Sequence, residues 1–384
     1  MPQENTERNV TVFGATSLLN DTASEMSYWL IPSFLMSLGA GPATLGLIEG
    51  IAESVASLAK LYSGYLADRA PRRKPIVVAG YAVANLMKPL LALATSWWHV
   101  LFIRFADRLA KGFRGAPRDV MLSESVPRER LGGAFGVLQS MDTAGAIVGP
   151  LLALLLLRHY AERTVFWFAA IPGLLSVLVI AFGVRETSGA QPATAGNATT
   201  NAPGTRLPRS YYYVLFVVTL FSLGGSSDMF LILRAQNMGI PAAAAPLLGL
   251  VFNIVYSGAS WPLGALSDRV SKHGMAAAGY AVYAIVYSVF ALAPARSAIW
   301  GAMAFYGLYY ALTDPVLRAL VAQTVPAAQR GRAFGIYYFA TSLATLAASL
   351  IAGELWSHIA PHAPFYFAAA IAGAAAVLML FCRE

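Results

Sequence analysis

Twelve apolar stretches of about 20 residues or more follow one another along this chain, parted by short polar breaks: 9–37, 44–66, 75–95, 99–125, 131–157, 163–184, 211–235, 241–263, 275–295, 297–322, 331–356 and 363–382. A stretch of that length crosses a hydrocarbon layer roughly 30 Å thick as a helix. Of the 384 residues 57% are hydrophobic and only 12% charged, too apolar for a soluble protein of this length. The sequence therefore predicts an all-α membrane protein with twelve transmembrane helices. The opening MPQENTERNV lacks the apolar core and small-residue cleavage site of a secretory signal, so the first span is expected to stay uncleaved.

The net charge of +8 would suit a nucleic-acid partner, but its distribution argues for membrane topology instead. Arg69, Arg72, Arg73 and Lys74 share one break, Arg128 and Arg130 a second, Arg206 and Arg209 a third, Arg269 and Lys272 a fourth, and Arg330 and Arg332 a fifth. These breaks alternate along the chain, and most of those between carry at most one basic residue; the break holding Arg158 and Arg163 is the exception. The positive-inside rule then sets both termini and the basic loops in the cytoplasm, with no nucleic acid as partner. A lone cysteine, Cys382, allows no internal disulfide, and five histidines near span ends offer no buried metal site; no metal and no cofactor is expected.

Residues 186–205, poor in large apolar side chains and rich in Ala, Thr, Gly, Pro and Asn, read as a flexible connector. The expected organisation is a six-helix bundle over 1–185, a cytoplasmic linker over 186–209 and a second six-helix bundle over 210–384. The halves repeat one another: GYLADRAPRRK from Gly64 recurs as GALSDRVSKHG from Gly264, and VPRERLGGAFG from Val126 recurs as VPAAQRGRAFG from Val325, at offsets of 200 and 199. Duplicated bundles are a common architecture of secondary transporters, with the solute held near the midplane.

With those motifs in place the chain resembles the major facilitator superfamily over essentially its whole length. The family's cytoplasmic signature is matched by Gly64, Asp68, Arg69, Arg72, Arg73 and Lys74, with Pro71 where a glycine is usual, and its second copy by Gly264, Asp268 and Arg269. The resemblance implies a cytoplasmic gate built on these residues. In the fifth span Gly136, Gly145, Gly149 and Pro150 reproduce most of a pattern carried by the family's proton-linked antiporters, although its closing glycines are replaced by Ala153 and Leu154. Small residues of this kind also serve ordinary helix packing, so both readings stand at this point. Aligned on the shared Val-Pro loop, Arg104 falls where the family's antiporters commonly carry a mid-membrane arginine.

The fourth span poses the sharpest physical problem. Arg104, Asp107, Arg108, Lys111, Arg114 and Arg118 recur at spacings of three and four and so lie on one helix face. At about 3 kcal/mol for each ion turned toward lipid, four or five would cost on the order of 12–15 kcal/mol. The stripe is therefore expected to face the protein interior, paired or wet. Partners are available in Asn20, Asp21 and Glu25 of the first span, Glu49, Glu53 and Lys60 of the second, Asn85 and Lys88 of the third, and Gln139 and Asp142 of the fifth. A buried carboxylate beside a like neighbour can take up a proton near neutral pH, and a freed arginine can hold an anion. Asp21, Glu25 and Asp107, with Glu49, Glu53 and Asp142 behind them, are the candidate proton carriers. Arg104, Arg108, Lys111 and Lys88, with Asn20 and Gln139, are candidates for solute binding. A fixed salt-bridge lattice is the alternative, most of all for Arg114, Arg118 and Asp119 near the cytoplasmic mouth.

The second half is quieter, offering Tyr306, Tyr309 and Tyr310 on one helix face for ligand stacking or for packing. The chain has no G-x-x-x-x-G-K-S/T loop, and neither H-E-x-x-H nor G-x-S-x-G, which argues against ATP as the energy source and against an intramembrane enzyme. The expected activity is alternating-access transport of a small anionic or zwitterionic organic solute in the bacterial inner membrane by a monomer. Proton antiport, that is efflux, leads. Proton-coupled import of an organic anion such as a carboxylate-type metal chelate is the alternative.

Overall fold

The computed structural model describes residues 2–28, 30–40, 42–187, 206–226, 228–241, 245–292 and 295–381. Most of the linker, 188–205, and the terminal 382–384 with Cys382 lie outside them. Every regular element among the described residues is helical: α1 (Pro2–Tyr28), α2 (Ile31–Ser37), α3 (Pro42–Arg69), α4 (Lys74–Leu90), α5 (Trp97–Glu124), α6 (Leu131–Leu157), α7 (Glu162–Gly183), α8 (Arg209–Gly224), α9 (Met229–Asn237), α10 (Ala245–Leu266), α11 (Lys272–Leu292), α12 (Arg296–Thr324), α13 (Arg330–His358) and α14 (Ala363–Leu380).

These helices fall on the twelve expected spans, with one difference: the first and seventh are each broken in two. In the first, proline occupies the opening turn of α2, where its missing N–H cannot continue the α1 ladder. In the seventh, α8 gives out at Gly224 and Gly225, whose ψ of 76° is not helical. Both spans then close alike. Gly39 (φ 76°) and Gly239 (φ 83°) take the left-handed conformation, and the amides of Ala40 and Ile240 reach back to Leu35 O and Ala235 O, each at 3.0 Å. This is a glycine-terminated helix end. It recurs at the 200-residue offset of the sequence repeat.

Among the described residues seven helices, α4, α6, α7, α10, α11, α13 and α14, are long and apolar enough to cross a membrane by length and composition alone. The sequence-predicted spans built on α1, α3, α5, α8 with α9, and α12 are not among them; α1, α3 and α5 carry the acidic and basic residues discussed above.

The chain forms two compact units: 1–127, 141–205 and 326–336 in the first, 128–140, 206–325 and 337–384 in the second. They follow the two halves except for the opening turns of α6 and α13, which are exchanged. Glycine contacts account for the exchange. A Cβ on Gly64 of α3 would come within 2.8 Å of Gly335 Cα, and one on Gly136 of α6 within 2.6 Å of Ser260 O on α10, so the backbones touch where a side chain would hold them apart.

In the first unit α5 packs against both α3 and α4. Its flank toward α3 is fixed at Gly112, where a Cβ would sit 2.7 Å from Ala56 O; toward α4, a Cβ on Gly80 would lie 2.6 Å from Arg114 Cβ. With both flanks occupied, the charged stripe turns to the side that remains.

Candidate functional site

That side is a cleft lined from α1 and α2 by Asn20, Ser24, Glu25, Ser27, Tyr28 and Ile31, from α4 and the turn after it by Met87, Lys88 and Leu91, and from α5 by Ile103, Arg104, Asp107, Arg108, Lys111 and Arg114. The stripe read from the sequence thus shares one hollow with the first-span carboxamide and carboxylate.

The charges divide by partner. Arg104 is held: its Nε and Nη2 donate to the two carboxylate oxygens of Glu49 at 2.9 and 2.8 Å, its Nη1 lies 3.5 Å from Asp107, and its guanidinium sits over the Tyr28 ring at 5.3 Å. A fork on a fork is the strongest arginine geometry, which makes Arg104, Glu49 and Asp107 a fastening of α5 to α3. The side chain of Glu53 lies outside those described.

The second group is organised by amides. Asn20 Nδ2 donates to Asp21 at 2.8 Å, while Asn20 Oδ1 accepts from Asn85 Nδ2 and from Arg114 Nη1, both at 3.1 Å. Asn85 Nδ2 also donates to Tyr81 O at 2.9 Å and Ser176 Oγ at 3.0 Å, and Asn85 Oδ1 accepts from Lys88 Nζ at 2.6 Å. Arg114 stacks on Tyr81 with its guanidinium carbon 3.8 Å from the ring centroid. Sequence reasoning ranked Arg114 as structural and passed over Tyr81. The signal for Tyr81 was its spacing of four and seven from Asn85 and Lys88, a single face of α4.

Behind Asn20, Ser17 Oγ donates to Asp142 at 2.6 Å. The glycine pattern of the fifth span sets α6 close against α1 here. A Cβ on Gly145 would fall 2.6 Å from Leu18 O and 3.0 Å from Asp21 Cβ; one on Gly149 would fall 2.7 Å from Thr22 O and 2.8 Å from Glu25 Cβ. The small residues bring α6 onto α1 at the two acidic positions; Pro150 follows within the same helix. Deeper along α5, Arg118 Nε meets Asp119 at 2.9 Å.

Other candidates are elsewhere. Gln139 belongs to the second unit, where its Oε1 accepts from Arg318, and it is not among the residues that line the cleft. Tyr306 and Tyr309 are buried in the second unit, in an aromatic stack with Phe252, Tyr283 and Tyr287; Tyr310 packs on Phe252 and Tyr256. The Tyr306 hydroxyl donates to Asp228 at 2.6 Å. Packing accounts for their spacing.

The signature aspartates of the two basic breaks act on helix starts. Asp68 accepts the amides of Gly331 and Arg332 at 2.7 and 2.8 Å, capping α13. Asp268 accepts those of Gly132 and Gly133, both at 2.8 Å, capping α6. Each satisfies orphan N–H groups at a positive helix end. Arg73 is buried on Glu124 at 2.8 Å, whereas Arg69, Arg72 and Arg269 are exposed.

Asp68 lies just past its apolar span. Burial pushes its carboxyl up to about 6, against the opposing pull of the two amides and of Arg73 and Arg332. A raised value means that the capped form binds the proton better than the released form; its contribution is full at low pH and fades as pH rises through 6. Between pH 7 and 5 the cap should tighten about tenfold relative to a released aspartate near its ordinary value. Hydrogen-exchange protection factors of the Gly331 and Arg332 amides should rise accordingly. Asp68→Asn should remove that dependence.

The sequence profile described as Major Facilitator Superfamily matches residues 13–233 and 214–384. The MFS-type transporter MJ1317 of Methanocaldococcus jannaschii is 35% identical over 383 residues, 97% of this chain and 94% of its own length. The multi-drug resistance efflux pump PmrA of Streptococcus pneumoniae is 25% identical over 382 residues, 93% and 92% of the two chains. Among solved structures, the human organic anion transporter MFSD10 aligns over 97% of this chain and 99% of its own with a TM-score of 0.80 at 14% identity, a likeness of fold alone.

Proposed function

This chain belongs to the Major Facilitator Superfamily, and from that premise we propose that it is a proton-coupled secondary transporter of a small anionic or zwitterionic organic solute. Family and fold make it a multi-pass membrane transporter rather than an enzyme. The observation that carries the solute reading is the cleft of the first unit, where Lys88, Arg108, Lys111 and Arg114 face one hollow. Charge-assisted donors in such a site suit a carboxylate, sulfonate or phosphate group. Asp21 and Asp142 are the proton site in this reading. Asp68 and Asp268, capping their helices, serve the cytoplasmic gate. The protein works by alternating access as a monomer in the bacterial inner membrane, both termini cytoplasmic.

Two directions of coupling follow different observations. The α6 glycines packed on Asp21 and Glu25, together with an efflux pump among the relatives, support antiport. The surplus of basic side chains supports import of an anion together with protons.

Reconstituted proteoliposomes enclosing a pH-sensitive dye test the proposal. Adding a panel of small organic anions outside should move protons for at least one of them. The lumen acidifies if proton and anion travel together and turns alkaline under antiport. Proton movement driven by lipophilic cations and by no anion would sink the solute assignment.

A further inference from the structure

Asp228 precedes α9 at the break in the seventh span, and the ordinary uses of an acid in a span do not account for it. It stands at the N-cap position of α9 but makes no side-chain cap bond. Among the described residues no basic side chain lies within ion-pairing distance of it, and its carboxylate has one hydrogen-bond partner, the Tyr306 hydroxyl, which donates to Oδ1 at 2.6 Å. Asp228 is nevertheless exposed, whereas Tyr306 is buried. Lipid penalises an ion within a span, and non-helical backbone at that depth is tolerated only inside protein or beside water. Fastened to a buried tyrosine, the carboxylate therefore opens to water and not to lipid.

Aromatic rings surround its partner. Tyr306 meets Phe252 of α10 at 5.4 Å, Tyr287 of α11 at 6.2 Å and Tyr310 of α12 at 5.2 Å between ring centroids, and the charge of Asp228 reaches the hydroxyls of Tyr287 and Tyr310. Phe252 and Tyr310 are half-buried, so ring surface is left uncovered as well as carboxylate. The other acid of this cluster, Asp314, is answered by Arg318 at 2.7 Å. Arg234, the basic residue of α9 itself, is spent on Phe290 O and Ala291 O. The internal repeat sharpens the contrast with the first unit. The offset of 199 that aligns the two Val-Pro loops also aligns GYAV at Gly80 with GYAV at Gly279, and it sets Tyr287, Tyr306 and Tyr310 where the first half has Lys88, Asp107 and Lys111. Two cleft-lining cations are thus exchanged for tyrosine rings, and a carboxylate is left unanswered among them.

We propose that the second unit holds a site for an organic ammonium ion, with Asp228 as its counter-ion and the rings of Tyr306, Tyr310 and Phe252 against its N-alkyl groups. A negative charge edged by ring faces, with no competing cation, selects such an ion: the ring quadrupole attracts a weakly hydrated cation, and the carboxylate supplies the opposite charge. The Tyr306 hydroxyl fixes the carboxylate by Oδ1, which leaves Oδ2 to the ligand. An inorganic divalent ion fits poorly, since it needs six or more oxygen ligands, and among the described residues no group of three or more His, Cys, Asp or Glu could hold a metal. The site is independent of the first-unit cleft, so its failure leaves the anion reading standing.

Purified full-length protein in an uncharged detergent at pH 8 tests the site. Calorimetry is run with choline and tetraethylammonium, and with 3,3-dimethylbutan-1-ol, which has the shape of choline without its charge. At least one of the two ammonium ions should bind about tenfold or more tightly than the alcohol, and Asp228→Asn should remove that advantage. Tyr310→Leu should weaken the ion about fivefold, while Tyr310→Phe, which keeps the ring and loses the hydroxyl, should stay within about twofold of wild type. No binding of either ion, the alcohol binding as tightly as choline and tetraethylammonium, or undiminished affinity in Asp228→Asn would overturn the proposal. Should Asp228→Asn fail to fold, the comparison of ion with alcohol on the wild type and the two Tyr310 variants decide it: equal losses in Tyr310→Phe and Tyr310→Leu would remove the ring from the site and overturn it as drawn.

Discussion

Glu49→Gln should destabilise the protein by about 3 kcal/mol, whereas the double replacement Glu49→Leu with Arg104→Met should come close to wild type. The single change leaves the Arg104 guanidinium buried, its side chain 7% exposed, with only the 3.5 Å contact to Asp107 in place of the 2.7 Å pair. Removing one partner of a buried pair exposes the full desolvation cost of the other, while removing both takes the cost away with the benefit. The residual contact to Asp107 and the Tyr28 ring keep the expected loss at the lower end of the range for such pairs. Thermal unfolding of wild type, Glu49→Gln and the double variant measures it. A Glu49→Gln protein as stable as wild type would mean that Arg104 is wet and free to move, and would return it to the solute-binding residues where the sequence first set it.

That division between holding and binding residues marks the limit of what the sequence discloses. The twelve spans were legible because oil penalises unpaired backbone and charge so heavily that span length and composition carry the signal. The α5 stripe was legible for the same reason: its spacing of three and four leaves one face, and lipid is forbidden to it. The duplication was legible at Gly64 and Gly264. Which cation meets which carboxylate was not, since that depends on the axial register between helices far apart in the chain; Arg104 opposite Glu49 and Arg114 opposite Asn20 differ by register alone. Gln139 and Asp142 are three residues apart on α6 yet belong to different units, because the glycines at 132 and 136 bind the start of that helix to α10. The breaks in the first and seventh spans escaped notice because an apolar run shows no gap where a proline or a glycine pair interrupts the ladder.

The same substitution at two glycines of neighbouring helices should have opposite effects. Gly115 on α5 has open space where a Cβ would stand, so Gly115→Ala should be neutral or add up to about 1 kcal/mol from helix propensity. Gly149→Ala puts a methyl group 2.7 Å from Thr22 O and 2.8 Å from Glu25 Cβ. A backbone carbonyl cannot rotate aside, so α6 must withdraw from α1 by roughly 1 Å to reach ordinary contact distance, at a cost of about 2–3 kcal/mol. The withdrawal carries Asp142 with it and stretches the 2.6 Å bond from Ser17. Gly149→Ala should therefore lose proton-coupled flux in proteoliposomes even after correction for the folded fraction, and Gly115→Ala should keep it. Loss of stability with coupling intact in the surviving molecules would make the glycine pattern a packing device and nothing more, separating the two readings that the sequence alone leaves side by side.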